Sequence, residues 1–222
     1  MITVHHLNNS RSQRVLWMLE EIGVQYEIAK YDRDTETMRA PASLRAVHPL
    51  GKSPVITDGD VTVAESGAII EYLASTYAPQ LKPEPGTPEH RDWVYWLHFA
   101  EGSLMPPLLV KLIIGRLTEA KVPFFVKPVI KAIANQLDTN YTGPEIKNLL
   151  TYINEHLEGR DWLVGDALSA ADIQMSFPLE AGGSRSDMFE LYPNVKAYVE
   201  RIHARPAYKA ALERGGAYDF AS

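Results

Sequence analysis

The chain has 222 residues, 45% hydrophobic and 23% charged, enough to bury one large or two small cores and too apolar for a disordered or fibrous protein. Its 22 lysines and arginines face 28 acids, a formal net charge of -6, which lacks the basic footprint that nucleic-acid binding needs. The absence of cysteine removes disulfides, thiolate metal sites and a cysteine nucleophile together.

The opening MITVHHLNNSRSQRV has neither the basic start nor the apolar run of a secretory signal. The most apolar stretch, residues 104–114, is too short to span a bilayer and contains Pro106, Pro107 and Lys111. These features predict a cytoplasmic protein with no membrane partner.

In chain order, residues 2–6 read as a strand and residues 10–22 as a helix with Val15, Leu16, Leu19 and Ile22 inward, stopped by Gly23. Residues 26–30 read as a second strand and 43–47 as a short helix. Residues 55–57 and 61–63 form a tight hairpin about Asp58-Gly59-Asp60. Residues 65–77 are helical, with Ile69, Ile70, Leu73 and Tyr77 on one side. A βαβ unit followed by a ββα unit predicts a small mixed α/β sheet with helices on its faces.

Pro79, Pro83, Pro85 and Pro88, with Gly86 among them, break any regular element and predict a linker. The expected division is a first domain over 1–80, a linker over 81–88 and an all-helical domain over 89–222. Trp93, Trp96, Leu97, Ala100 and Leu104 fit one face of a helix starting near Pro88, which Pro106-Pro107 should kink or end. Further helices are expected at 126–137, 144–157, 170–181, 193–204 and 206–212, while 116–128 is ambiguous.

Three features of the first domain converge on an anionic ligand. The turn Leu7-Asn8-Asn9-Ser10-Arg11-Ser12 leads a strand into a helix N-terminus, whose N–H groups and dipole favour an anion. Ser10-x-x-Gln13 is equally a capping box, which by itself needs no ligand. In Gly51-Lys52-Ser53-Pro54-Val55 a proline enters a strand; a cis bond there leaves the Ser53 backbone free to pair with an extended ligand, against the plain alternative of an ordinary turn. In Ala64-Glu65-Ser66-Gly67, Ser66 is placed to cap the next helix, Gly67 allows close approach, and Glu65 suits an ammonium.

Two other features carry no chemistry. Adjacent strand residues His5 and His6 point to opposite faces and cannot share a metal. Ser169-x-x-Asp172 is a capping box, and Leu168 and Ile173 are spaced as a hydrophobic staple, so this segment reads as structural.

Taken in order, SRSQRVLWMLEE, HPLGKSPVI, AESGAIIEYLASTY, the proline-rich linker, the later helices and GDALSAADI resemble the cytosolic glutathione transferases over nearly the whole chain. The likeness is to bacterial and fungal members with a serine- and asparagine-rich active-site turn. It implies an α/β plus all-α fold, a thioredoxin-like N-terminal domain followed by a C-terminal helical bundle. It also implies a homodimer that binds glutathione as co-substrate, without a metal, and joins it to a hydrophobic electrophile in detoxification.

Carried across by residue, the resemblance puts the γ-glutamyl end on Glu65 and Ser66, the cysteinyl unit on Ser53 ahead of cis-Pro54, and the glycyl carboxylate near Lys52. Members that use tyrosine carry it near the end of the first strand, where this chain has His6 and Leu7. The thiol then falls to the turn: Ser10 first, Asn9 second, Ser12 third, with Arg11 able to stabilise the same anion. Leu7, Phe99 and Met105, with Tyr95 and Gly102 beside them, are candidates for the electrophile pocket. Glutathione-dependent disulfide or peroxide reduction, and a non-catalytic binding or regulatory protein of the same fold, are the alternatives.

Overall fold

The computed structural model describes residues 1–37, 39–184 and 186–221. Strand β1 (Ile2–Leu7) lies parallel to β2 (Tyr26–Tyr31), with Ile2 opposite Tyr26, and antiparallel to β3 (Val55–Asp58), with Val4 opposite Ile56. β3 pairs with β4 (Val61–Ala64), so the four-stranded order is β2-β1-β3-β4. Helices α1 (Ser12–Ile22) and α2 (Ser66–Tyr77) complete the thioredoxin-like domain. Helix α1 makes the crossover that two adjacent parallel strands require. Central strand β1 is buried along nearly its whole length, as expected when both faces are covered.

The punctuation follows the expected chemistry. Gly23 ends α1 in the left-handed conformation at φ 69°, its N–H reaching the Glu20 carbonyl. Gly59, at φ 56°, closes the β3–β4 hairpin. The short helix over 43–47 is a 3-10 turn, Ala42–Ala46.

Two helix starts differ from expectation. α1 begins at Ser12, and the Ser10–Gln13 box is not formed: the Ser10 hydroxyl accepts from Ser12 N–H at 3.2 Å, while Gln13 N–H reaches only the Ser10 carbonyl. Two serines two residues apart bond each other here, which draws the hydroxyl away from the N3 position. In α2 the cap position is held by Glu65 at φ 70°, and Ser66 is the first helical residue. Its hydroxyl is engaged by Arg14 and caps nothing.

After the 3-10 turn Pro79–Leu81 and an irregular stretch, α3 (Pro88–Phe99) starts on a Thr87 cap whose hydroxyl accepts from His90 N–H at 3.1 Å. Pro106 and Pro107 do not end this helix. Neither can donate to the preceding turn, and a π turn over Ala100–Leu104 takes up the mismatch before α4 (Met105–Thr118). The resulting helix, Pro88–Thr118, is 31 residues long and passes a length-and-composition test for a membrane span, which the shorter run 104–114 does not. Its inward side chains Trp93, Trp96, Leu97, Phe99 and Leu104 nevertheless belong to the common hydrophobic core.

The ambiguous region is helical to Thr118 and again from Lys127. α5 (Lys127–Leu137) runs through a second π turn, Asp138–Thr142, into α6 (Gly143–His156). α7 (Ala170–Gly183) is the buried axis of the helical part, opened by the expected box: Asp172 Oδ2 accepts from Ser169 N–H at 2.8 Å. Its Oδ1 accepts from Leu163 N–H and the Tyr198 hydroxyl, each at 2.9 Å. Leu168 and Ile173 are both buried in the core. The one-turn α8 (Met188–Leu191), not legible in sequence, precedes α9 (Pro193–Ala204) and α10 (Pro206–Gly215). α10 lies on α1 where Gly215 has no side chain; a Cβ there would meet Gln13 Oε1 at 2.6 Å.

Candidate functional site

The turn between β1 and α1 gathers residues from five parts of the chain. Asn8 takes Arg33 N–H on its side-chain oxygen at 3.0 Å, and the Arg33 guanidinium donates to the carbonyls of Asn8 and Asn9. That clamp holds the turn while Asn9 adopts φ 48°, a left-handed conformation asparagine tolerates better than most residues. The Asn9 side chain donates to Asp219 Oδ2 at 2.8 Å and accepts from Asp219 N–H at 2.9 Å.

Ser10 is buried, and its hydroxyl faces inward. It lies 2.7 Å from Ser12 Oγ, which in turn lies 2.8 Å from His6 Nδ1. Burial, aided by the Lys30 charge, pushes the His6 pKa down to about 4 against a backbone hydrogen bond with Gly215, so the ring is neutral at pH 7. Ser12 Oγ also donates to the Leu7 carbonyl at 3.2 Å, so both the ring and the strand backbone hold it. Ser12 Oγ accepts in turn from Leu7 N–H at 3.2 Å. The Ser10 hydroxyl is therefore engaged within the protein, by Ser12 Oγ and Ser12 N–H. His5 uses the other face of the strand, where Nδ1 meets the Tyr31 hydroxyl at 3.1 Å.

Arg11 donates through Nε to both carboxylate oxygens of Glu101, at 2.9 and 3.0 Å. Arg14, buried on α1, shares Glu101, donates to Ser66 Oγ at 2.6 Å and reaches the Gln174 carbonyl. Burial opposes ionisation of Glu101, but Arg14 and then Arg11 outweigh it and hold the carboxyl below its ordinary value. Both guanidinium groups sit over the Phe177 ring, at 5.1 and 5.6 Å from its centre, and Phe220 packs edge-on against the same ring. Three guanidinium groups thus surround the turn into α1, Arg11 and Arg14 paired with Glu101 and Arg33 clamping the carbonyls of Asn8 and Asn9.

Nearby on the sheet, the Ser53-Pro54 bond is cis, and the Ser53 hydroxyl donates to the His5 carbonyl at 2.9 Å. Lys52 and Glu65 are exposed, whereas Ser66 is buried. Leu7 and Phe99 are buried too, Phe99 within an aromatic cluster with Tyr95, Trp96 and Tyr152. Met105, four residues past Glu101, is partly exposed. An open cleft of about 560 Å³, lined by residues including Glu21, Leu81, Trp162 and Arg205, contains none of these candidates.

Sequence reasoning missed Arg14, Glu101, Phe177 and the segment Tyr218–Phe220. Arg14 alone carried a signal, a charge set between Gln13 and the inward Val15-Leu16 of a helix with no polar face to spare. Among the described residues no cluster of three or more His, Asp or Glu side chains is arranged to hold a metal ion.

Comparison with known proteins places these features. Residues 1–75 match the glutathione S-transferase N-terminal domain family, and residues 118–206 match the corresponding C-terminal domain family. Glutathione S-transferase 3 of Schizosaccharomyces pombe is 38% identical, over 96% of this chain and 88% of that protein. Glutathione S-transferase 1 of Saccharomyces cerevisiae is 32% identical, over 98% of this chain and 96% of that one. A solved glutathione S-transferase from Actinobacillus pleuropneumoniae superimposes with a TM-score of 0.81 at 33% identity, covering 100% of this chain and 99% of the other. A sphingomonad glutathione S-transferase solved in complex with glutathione gives a TM-score of 0.73 at 25% identity, covering 96% and 98%.

Proposed function

The chain belongs to the glutathione S-transferase family, an enzyme family of transferases, and from that premise we propose that it binds glutathione, stabilises the thiolate at the Asn9–Ser10–Arg11 turn and conjugates it to an electrophilic small molecule. The observation that carries the reading is the corner itself: a helix start crowded with guanidinium groups, beside Ser66 and cis-Pro54.

In this reading the γ-glutamyl end lies at Glu65 and Ser66, with Arg14 holding the Ser66 hydroxyl in place. The cysteinyl unit pairs with the Ser53 backbone, and Lys52 approaches the glycyl carboxylate. The sulfur contact passes from Ser10, the first choice on sequence, to Asn9. The Ser10 hydroxyl is committed inward through Ser12 and His6, whereas Asn9 lies partly exposed at the turn. Asn9 Nδ2 carries two protons, one of which Asp219 takes, and the second is offered to sulfur.

Lowering a thiol pKa from about 8.5 to about 6.5 requires roughly 2.7 kcal/mol of selective thiolate stabilisation. One hydrogen bond to a charged group supplies about 1.5–3 kcal/mol. A helix N-terminus adds about 0.3–1 kcal/mol, so Asn9 with the dipole and Arg11 suffices and the dipole alone does not. The thiol proton leaves to solvent, and the thiolate forms a C–S bond to an electrophilic carbon held beside Met105 and Phe177, with Leu7 and Phe99 backing the wall, as that carbon's bond to its leaving group breaks and the group departs with the electron pair. Proximity and thiolate stabilisation carry the rate.

The same reading makes the protein a cytoplasmic homodimer. It is supported by apolar stripes left exposed on single helices, Leu109, Ile113 and Leu117 on α4 and Val129, Ile133 and Leu137 on α5. Sedimentation at micromolar concentration tests the dimer. Incubation with glutathione and a panel of electrophiles tests the chemistry: a thioether product supports conjugation, and oxidised glutathione as the sole product replaces it with reduction.

A further inference from the structure

We infer that Asp219, 210 residues from the turn in sequence, is a positioning residue whose carboxylate, backed by its own N–H, holds the Nδ2 end of the Asn9 amide in place toward the glutathione sulfur. The inference rests on the reading that Asn9 contacts the sulfur.

An asparagine side chain presents a donor at one end and an acceptor at the other, with nearly identical shapes. Facing a thiolate, the N–H end attracts and the carbonyl end repels. The choice therefore has to be made by a third group. Asp219 makes it twice over. Its backbone N–H, which can only donate, lies 2.9 Å from Asn9 Oδ1. Its carboxylate, which can only accept, lies 2.8 Å from Asn9 Nδ2. Reversing the amide would set donor against donor and acceptor against acceptor at both contacts, so one orientation is specified. In that orientation Oδ1 is occupied, and the remaining Nδ2 proton is the part of the amide left for a ligand.

Asp219 is itself held from both sides. The Tyr218 hydroxyl donates to the buried Glu180 carboxylate at 2.6 Å, and the buried Phe220 packs edge-on against Phe177, with ring centres 5.7 Å apart. Glu180 also receives the Tyr208 hydroxyl at 2.8 Å, tying this segment to α10. An exposed aspartate is thereby kept in place between a half-buried tyrosine and a buried phenylalanine.

The test compares two uncharged variants, because the Asp219 charge opposes a nearby thiolate and its removal alone lowers the thiol pKa. In Asp219→Asn the side-chain oxygen still accepts from Asn9 Nδ2; in Asp219→Ala nothing does. Charge is lost equally in both and the backbone N–H of residue 219 stays on Asn9 Oδ1 in both, so the difference isolates the side-chain acceptor on Asn9 Nδ2. The ultraviolet thiolate absorbance of bound glutathione, titrated against pH, is expected to give a pKa higher in Asp219→Ala than in Asp219→Asn by about half a unit or more, a roughly threefold smaller thiolate fraction below the pKa. Equal values in the two variants overturn the inference. Asn9→Ala serves as the control: an unshifted pKa there removes the reading of Asn9 and the inference with it. A raised pKa in Asn9→Ala with equal Asp219 variants removes the inference alone. Asp219 is exposed, so both substitutions spare the core.

Discussion

Arg14 and Ser66, 52 residues apart and on different helices, meet at 2.6 Å where α1, α2 and α7 converge. One planar guanidinium there serves Ser66, Glu101 and the Gln174 carbonyl, three acceptors that no single point charge reaches together. Arg14→Lys is therefore expected to cost about 3 kcal/mol or more, since it leaves Glu101 poorly paired and buried acceptors unsatisfied. Urea unfolding with an unchanged slope checks this, and a loss under about 1 kcal/mol would contradict it. The same variant should weaken glutathione binding through Ser66.

Glu101 makes acid stability specific to this corner. Its folded pKa lies below its ordinary value of 4.5, so its stabilising contribution is complete above that value and is lost as pH falls through the folded pKa. The stability difference between the wild type and Glu101→Gln should hold constant above about pH 5.5 and shrink steadily below about pH 4.5. A difference independent of pH down to about 3 would contradict the pairing with Arg14 and Arg11.

Asp172 is a buried acceptor that joins α7 to the segment before it and to α9. Replacing it by alanine removes the acceptor for Ser169 N–H, Leu163 N–H and the Tyr198 hydroxyl at once. The expected cost is about 3 kcal/mol or more, read from the denaturation midpoint. Asp172→Asn, which keeps an acceptor, should lose less. Equal losses would mean that the charge, rather than hydrogen-bond satisfaction, carries the role.

Asn9 and Ser10 separate cleanly by substitution. Asn9→Ala should raise the pKa of bound glutathione by about one unit or more, whereas Ser10→Ala should leave it within a few tenths, because the buried Ser10 hydroxyl is engaged by Ser12. The opposite pattern would restore Ser10 as the sulfur contact.

How far the sequence reached depends on the range of the interactions. Gly23, the Asp58-Gly59-Asp60 turn, the helix start at Pro88 and the Ser169–Asp172 box act over a few residues, and each was legible. Ser10 was misread as a cap because Ser12, two residues on, competes for its hydroxyl, and that competition is settled by His6 on the strand behind. The π turns escaped notice because proline signals a missing donor without saying how the helix accommodates it. Arg14 with Glu101, and Asn9 with Asp219, join residues 87 and 210 positions apart, which no local pattern encodes.

The central claim is that this corner of the fold stabilises a thiolate. The most direct measurement is a pH titration of the ultraviolet thiolate absorbance of glutathione bound to the wild-type protein. A bound pKa about two units below that of the free thiol is predicted. Binding with an unshifted pKa, or no binding at millimolar glutathione, would contradict it.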